Sequence, residues 1–143
     1  MAGYLLDTNV LLRAAAPRSV HHAAAVGAIR RLLAGGAELF LAPQILVEFW
    51  SVATRPVEVN GYGWPPEDAE TKVTQLLRQF PLLPETPDVF PEWLRLVSRH
   101  GIRGKQVHDA RLVALLNTHG VTHLLTFNVH DFQPYGTLAV SPE

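Results

Sequence analysis

Three acidic side chains occur among apolar neighbours, which are unfavourable surroundings for an ionised carboxylate. Asp7 lies in LLDTNVLL, Glu48 in LVEFW and Asp109 in QVHDARLVALL. Burying a carboxylate is costly unless it is paired or bound to a cation, and carboxylates that converge raise one another's pKa values. The chain has no cysteine, and hard oxygen ligands favour Mg²⁺ or Mn²⁺ over zinc. If the fold brings them together, these acids predict a divalent-cation site.

Each of these residues also has an ordinary structural interpretation. Asp7 suits the N-cap of a helix that begins near Asn9, and Asp109 suits the first turn of a helix. Glu48 could lie on a solvated helix face. A further polar residue, Asn128 in LLTFNVHDF, could be a simple turn residue. These alternatives stay open for each residue taken alone.

Four short apolar runs predict the strands that must position these side chains. They cover residues 4–6, 39–42, 123–127 and 138–140. Their continuous apolar character is typical of strands covered on both faces. Because helical patterns separate them, the sequence favours an α/β fold with a mostly parallel central sheet and helices on both faces. Ligands bind beyond the carboxyl ends of such strands, which is where Asp7 and Asn128 follow the first and third runs.

Helical patterns predict helices over residues 24–33, 44–54, 67–80, 89–99 and 108–118. Asp88 is a candidate N-cap for the fourth helix, and the His-Gly pairs ending at Gly101 and Gly120 are candidate stops for the last two. The segment 56–66, PVEVNGYGWPP, is the least helical, and we interpret it as a loop or flap between two helices.

Length and composition are those of one globular domain, which we predict to span residues 1–143. Hydrophobic residues make up 48% and charged residues 17% of the 143 residues, an ordinary balance for a chain with its own core. The net charge of −1 means that any nucleic-acid contact must come from a local patch or a metal. No apolar run approaches the ~20 residues of a membrane span, and no signal-peptide pattern opens the chain. We therefore expect a soluble cytoplasmic protein without membrane contact.

Four motif segments resemble the PIN-domain family, and within it the VapC-type toxins of bacterial toxin–antitoxin systems. They are LLDTNVLL, PQILVEFWSVAT, GKQVHDARLVALLNTHG and LLTFNVHDF. The likeness runs from Leu5 to about Val140, so it covers nearly the whole chain. It implies a PIN-like three-layer sandwich with an acidic pocket at the carboxyl edge of its sheet. It also implies an endoribonuclease that uses Mg²⁺ or Mn²⁺ and leaves 5′-phosphate and 3′-hydroxyl ends.

The resemblance also implies residue roles. Asp7, Glu48 and Asp109 match the three main acidic positions of the family. Asp7 and Asp109 would bind the cation directly, while Glu48 would bind it through water or orient the attacking water. Thr8 and Asn9 would fix Asp7 or a phosphate oxygen.

Asn128 departs from the family pattern, because many relatives carry a fourth acid at that position. The neutral amide removes about one unit of negative charge from the pocket, so a second metal ion should bind more weakly. Asp131, three residues later, could compensate. We favour a different role for Asp131, the capping of the turn before Phe132, because Asp often bonds its own turn backbone.

The partners implied by the resemblance are an RNA substrate, a cognate antitoxin protein that covers an apolar groove, and a second copy of the chain in a homodimer. Two other functions stay open. One is a housekeeping RNA-processing nuclease, and the other is a degenerate PIN-like module that binds RNA or protein without catalysis. An aspartyl-phosphate phosphatase is disfavoured, because the second Asp such enzymes carry is replaced here by Asn9.

Basic and aromatic residues near the motifs are secondary candidates for RNA contact. The basic ones are Arg13, Arg55, Arg103, Lys105 and Arg111. We favour solvated surface charges for them over phosphate contacts. Trp50 is predicted to pack in the core, whereas Tyr62 and Trp64 remain open as base-stacking residues.

Overall fold

A parallel four-stranded sheet forms the centre of the protein. The computed structural model describes residues 2–143. The strands are β1 Gly3–Leu6, β2 Glu38–Phe40, β3 His123–Leu125 and β4 Leu138–Val140, in the order β2-β1-β3-β4. All three pairings are parallel, which confirms the predicted α/β class and sheet direction.

The register of the two central strands determines where the site forms. Leu6, the last residue of β1, pairs with Leu125, the last residue of β3. The pairing continues for one more bond, since the backbone N–H of Asp7 donates to the Leu125 carbonyl over 3.0 Å. Residues that follow β1 and β3 therefore leave the sheet side by side at its carboxyl edge.

Six α-helices and two 3₁₀ segments connect the strands over residues 2–143. The α-helices are α1 Thr8–Ala14, α2 His22–Ala34, α3 Pro43–Thr54, α4 Pro66–Gln79, α5 Val89–His100 and α6 Gln106–His119, and the 3₁₀ segments are Val57–Val59 and Val129–Tyr135. α1 packs on α2 and α3, and α3 packs on α4, whereas α5, α6 and the second 3₁₀ segment pack on one another. These are the two helical layers of the predicted three-layer sandwich.

The helix ends follow local chemistry, with one exception. Prolines open α3 and α4, where a missing N–H costs nothing. Gly101 and Gly120 end α5 and α6 with φ of +61° and +67°, as the His-Gly stops predicted. The predicted N-cap Asp88 is wrong, because its backbone is already helical and its side chain makes no capping bond. A capping side chain needs an extended backbone to reach back to the first turn.

Two predicted boundaries differ from the structure. The third strand ends at Leu125 instead of residue 127, because the N–H groups of Phe127 and Asn128 donate to side chains, not to a strand. The second strand ends at Phe40, and Leu41 forms an isolated bridge to Leu82. The edge strands are also less covered than their apolar character predicts.

The segment 56–66 is not a free flap. Its backbone is hydrogen-bonded to the end of α3. The N–H groups of Tyr62 and Trp64 donate to the carbonyls of Val52 and Ala53, and the N–H of Gly63 donates to Arg55, the residue after α3, all over 2.8–3.0 Å. The Trp64 ring also packs edge-on against Phe49 at 6.0 Å between centroids. These contacts make it a fixed part of the wall beside α3.

The core lies between the sheet and the helices and includes Leu5, Leu6, Phe49, Leu124, Leu125 and Phe132. The prediction that Trp50 packs in the core is wrong. Phe49 is fully buried, while Trp50, the next residue of α3, is 36% exposed, because neighbouring residues of a helix point about 100° apart. Over residues 2–143, the helices are all too short or too polar to cross a bilayer.

The buried strand β3 should be essential for stability. We expect Leu124→Ala, which empties a fully buried position, to lower the free energy of unfolding by about 2–5 kcal/mol. The matched control is Leu77→Ala, at a site on α4 that is 45% exposed. Urea unfolding followed by circular dichroism measures both, and equal losses in the two variants would contradict the described core.

Candidate catalytic site at the carboxyl edge of the sheet

Asp7 lies at the point where β1 ends and α1 begins. It is only 7% exposed, and both carboxylate oxygens are bonded. Oδ1 accepts from the backbone N–H of Thr8 over 2.7 Å, and Oδ2 accepts from the Thr126 hydroxyl over 2.8 Å. Burial raises the pKa of Asp7, while the bonds from Thr126 and Thr8 lower it. Asp7 therefore both caps α1 and presents a buried carboxylate at the sheet edge.

Thr126 is a site residue that the sequence analysis missed. Its side chain is fully buried and bonded to three groups. The hydroxyl donates to Asp7 and accepts from the Asn9 amide over 3.2 Å and from the Asn128 N–H over 3.0 Å. The available signal was a hydroxyl at the end of the apolar run in LLTFN.

Asn9 joins the two loops that leave the central strands. Its side-chain amide donates to Thr126 and, over a longer 3.4 Å, to Asp7. Its side-chain oxygen accepts from the Phe127 N–H over 3.1 Å. Asn9 therefore lies where it can hold the Asp7 carboxylate, both directly and through Thr126.

Glu48 is brought to Asp7 by Thr8. The Thr8 hydroxyl donates to Glu48 Oε2 over 3.0 Å, while the N–H of the same residue donates to Asp7. Glu48 Oε1 accepts from the Gln44 amide over 3.2 Å. Glu48 is half-buried and bonded at both oxygens, unlike a side chain on a solvated helix face.

Asp109, in the first turn of α6, is the most strongly perturbed of the half-buried acids. Burial is the largest cause and, together with the charges of Asp7, Asp131 and Glu48, raises the pKa of Asp109 from 3.8 to about 6; the neighbouring His108 opposes this shift. Four acids from separate parts of the chain therefore act on one region.

Asn128 and Asp131 lie in the turn after β3, and both are exposed. The turn is closed by the backbone N–H of Asp131, which donates to the Asn128 carbonyl over 3.1 Å. The favoured capping role of the Asp131 carboxylate does not match this geometry. Its charge contributes to the raised pKa values of Asp7 and Asp109, and its compensation for the neutral Asn128 stays a prediction.

The donor set fits a hard divalent cation. Among residues 2–143, no three His, Asp or Glu side chains are arranged to enclose an ion by themselves. Mg²⁺ does not require such a cage, because it usually keeps several waters and is held by one or two carboxylates together with substrate phosphates. The oxygen donors present at this edge are therefore of the chemical type that such a cation binds.

Of the basic candidates, two make contacts with other side chains and two are exposed to solvent. The Arg13 guanidinium lies 4.4 Å from the centre of the Phe127 ring. Arg111 donates to Gln44 over 2.9 Å and to Glu85 over 3.1 Å. Arg103 and Lys105 are exposed, as expected of solvated charges.

Comparison with known proteins agrees with this architecture. Residues 4–134 match the PIN domain family. The chain belongs to the PIN domain family. Ribonuclease VapC24 of Mycobacterium tuberculosis is 30% identical over 132 residues, which are 92% of this chain and 90% of that protein. PIN-domain proteins of the VapC type generally use a divalent metal, and the all-oxygen donor set described above is compatible with one.

Solved structures show the same PIN fold. VapBC2 of Rickettsia felis, crystallised with a promoter DNA fragment, aligns with a TM-score of 0.71 at 15% identity and covers 97% of this chain and 98% of that chain. VapC20 of Mycobacterium tuberculosis, a toxin that cleaves the sarcin-ricin loop, aligns with a TM-score of 0.67 at 19% identity and covers 96% and 98%. At these identities the likeness concerns the fold alone.

The shifted acid gives a pH prediction for the metal-free protein. We expect the Asp109 carboxyl to titrate near pH 6 by ¹³C NMR, and its midpoint to fall in Asp131→Asn, because one neighbouring negative charge is removed. Since the folded-state pKa is raised, the folded chain binds more protons than the unfolded chain, and this group makes stability fall as the pH rises from about 4 to about 6. Asp68→Asn, at an exposed site on α4, is the charge control. A midpoint near 4 in the wild-type protein would contradict the described cluster.

Thr126 gives a second prediction. Thr126→Val keeps the shape but removes the donor to Asp7, so we expect metal affinity and any metal-dependent activity to fall by about 10-fold. Thr74→Val, at an exposed site on α4, is the matched control. Mn²⁺ titration followed by electron paramagnetic resonance measures the affinity, and wild-type binding by Thr126→Val would exclude the positioning role.

Proposed function

We propose that this PIN-domain protein is a divalent-cation-dependent endoribonuclease and the toxin of a toxin–antitoxin pair, with Asp7, Glu48 and Asp109 as its catalytic residues. The observation that carries the proposal is that the carboxyl edge of the sheet holds the buried Asp7, which Thr8 links to Glu48. Asp109 lies near these charges, which together with burial raise its pKa to about 6. A protein gains nothing in stability from such a cluster, so the cluster is best explained by a bound cation and a phosphodiester substrate.

Asp7 and Asp109 are the proposed direct ligands of Mg²⁺ or Mn²⁺. When bound, such a cation lowers the pKa of nearby water and neutralises charge that builds on phosphate oxygens. The bonds from Thr126 and the Thr8 N–H favour the ionised form of Asp7, which is the form that binds a metal. Asn128 and Asp131 complete the rim, with Asp131 supplying the charge that Asn128 lacks.

Glu48 orients the attacking water in this proposal. Bonds from Thr8 and Gln44 fix its carboxylate, and each oxygen keeps a lone pair that can accept a hydrogen bond from water. In-line attack of that water on phosphorus breaks the P–O3′ bond and leaves a 5′-phosphate and a 3′-hydroxyl. None of these steps uses the 2′-hydroxyl of RNA, so selectivity for RNA depends on contacts outside the reacting atoms.

RNA as the substrate and an antitoxin as the partner are supported by the relatives. The relative VapC24 is named a ribonuclease, and a structural neighbour from Klebsiella pneumoniae is described as a toxin–antitoxin complex. An apolar groove on α3 and α4, lined by Leu46, Val47, Trp50, Ser51 and Val73, supports a protein partner. Val47 is 69% exposed at its edge, and exposed apolar patches of this kind mark interaction sites.

A homodimer, a cytoplasmic location and one domain over residues 1–143 belong to the same proposal.

The housekeeping and degenerate-module alternatives make different predictions. A degenerate module would bind RNA or protein without Mn²⁺ binding, and a housekeeping nuclease would cleave RNA without an antitoxin that inhibits it.

Loss of either proposed metal ligand should abolish catalysis. We expect Asp7→Asn and Asp109→Asn to lower the rate of RNA cleavage in Mg²⁺ by at least about 100-fold, the upper end of what loss of an outer-shell partner costs. Asp68→Asn on α4 is the control for removal of one acid. The measurement is single-turnover cleavage of a labelled single-stranded RNA, with EDTA removing the activity and Mn²⁺ restoring it. Unchanged cleavage by either variant, or cleavage in EDTA, would contradict the assignment.

A further inference from the structure

Gln44, in the first turn of α3, uses both N–H donors and the oxygen of its side-chain amide. Its Nε2 donates to Glu48 Oε1 over 3.2 Å and to the His108 carbonyl over 3.0 Å. Its Oε1 accepts from Arg111 Nη1 over 2.9 Å. Two donors and one acceptor of a single side chain are thus satisfied by three different residues.

The orientation of this amide follows from its partners. A carboxylate and a carbonyl can only accept, and a guanidinium can only donate. If the amide were flipped, its oxygen would face two acceptors and its NH₂ group would face a donor, so only the described orientation can form all three bonds. The site therefore requires an amide at position 44, and neither an acid nor an apolar residue could replace it.

The amide also joins the two helical layers of the protein. α3 packs on α1 and α4, whereas α6 packs on α5 and the second 3₁₀ segment. Gln44 connects Glu48 on α3 to the carbonyl of the residue before Asp109 on α6. Arg111, which also lies on α6, donates from the same Nη1 to Glu85 over 3.1 Å. The Gln44 bridge thus links the backbone that carries Asp109 to the carboxylate of Glu48.

We propose that Gln44 is a positioning residue that holds Glu48 in its working orientation and sets its separation from Asp109. This inference rests on the proposed function, in which Glu48 orients the attacking water. Glu48 has one carboxylate oxygen bonded to Thr8 and the other bonded to Gln44. Without Gln44, the carboxylate keeps one anchor and can rotate away from the water. Arg111 serves the bridge, because it orients the Gln44 amide, and it is not a free phosphate-binding cation.

The test is a double-mutant cycle on Mn²⁺ binding and RNA cleavage. Gln44→Met keeps the length of the side chain and removes all three bonds. We expect it to lower kcat by about 10-fold at nearly unchanged KM and to weaken Mn²⁺ binding by about 10-fold. In a Glu48→Ala background, the same substitution should change Mn²⁺ affinity by less than about 2-fold, because its effect acts through Glu48. Gln75→Met, at an exposed site on α4, is the matched control.

The outcomes separate the inference from the function on which it rests. Wild-type kinetics and Mn²⁺ affinity in Gln44→Met, or equal weakening in both backgrounds, would overturn the positioning role. A wild-type protein that neither binds Mn²⁺ nor cleaves RNA would overturn the proposed function itself. Should Gln44→Met fail to fold, Gln44→Asn keeps the amide but withdraws it by one methylene, and the same losses are expected.

Discussion

The meeting of partly buried carboxylates at one sheet edge is the constraint on which the rest of the structure depends. The level ends of β1 and β3 bring Asp7 next to Thr126, and α3 and α6 deliver Glu48 and Asp109 to the same edge. Desolvation is the largest cause of the raised pKa of both Asp7 and Asp109, and repulsion from the other acids adds to it. A cation relieves repulsion of this kind, so the arrangement that weakens the metal-free fold is the one that suits metal-assisted hydrolysis.

The polar residues around the acids have two roles: some donate hydrogen bonds that favour the ionised form of Asp7, and others orient the Glu48 carboxylate. Thr126 and the Thr8 N–H donate to Asp7 and oppose the rise in its pKa that burial causes. The Thr8 hydroxyl and Gln44 instead orient Glu48 without burying it fully. Asp131, exposed across the turn from Asn128, adds negative charge from outside. Asp131 thus contributes to the raised pKa values of Asp7 and Asp109 from an exposed position.

Much of the fold could be predicted because the elements have strong local signals. Continuous apolar runs marked all four strands, and His-Gly pairs marked the ends of α5 and α6. The error at Trp50 was avoidable, because Ile45 and Phe49 are four residues apart and so share one helix face, whereas Trp50 points about 100° away from Phe49. The error at Asp88 arose because a capping residue type does not determine the backbone angles that capping requires.

The site could be predicted only in part, because many of its contacts join residues that are far apart in the sequence. Asp7, Glu48 and Asp109 were recognisable as acids among apolar neighbours. Thr126 was missed because its bond to Asp7 joins residues 119 positions apart, and Gln44 was missed because its bond to Arg111 spans 67 positions. A threonine or glutamine carries no signal of its own until the fold supplies its partner.

A crystal structure of the protein soaked in Mn²⁺, with anomalous scattering recorded near the manganese edge, tests whether these acids form a metal centre. The account expects an anomalous peak within bonding distance, about 2 Å, of carboxylate oxygens of both Asp7 and Asp109, with Glu48 reaching it through water. No peak at saturating Mn²⁺, or a peak bound elsewhere on the protein, would contradict it.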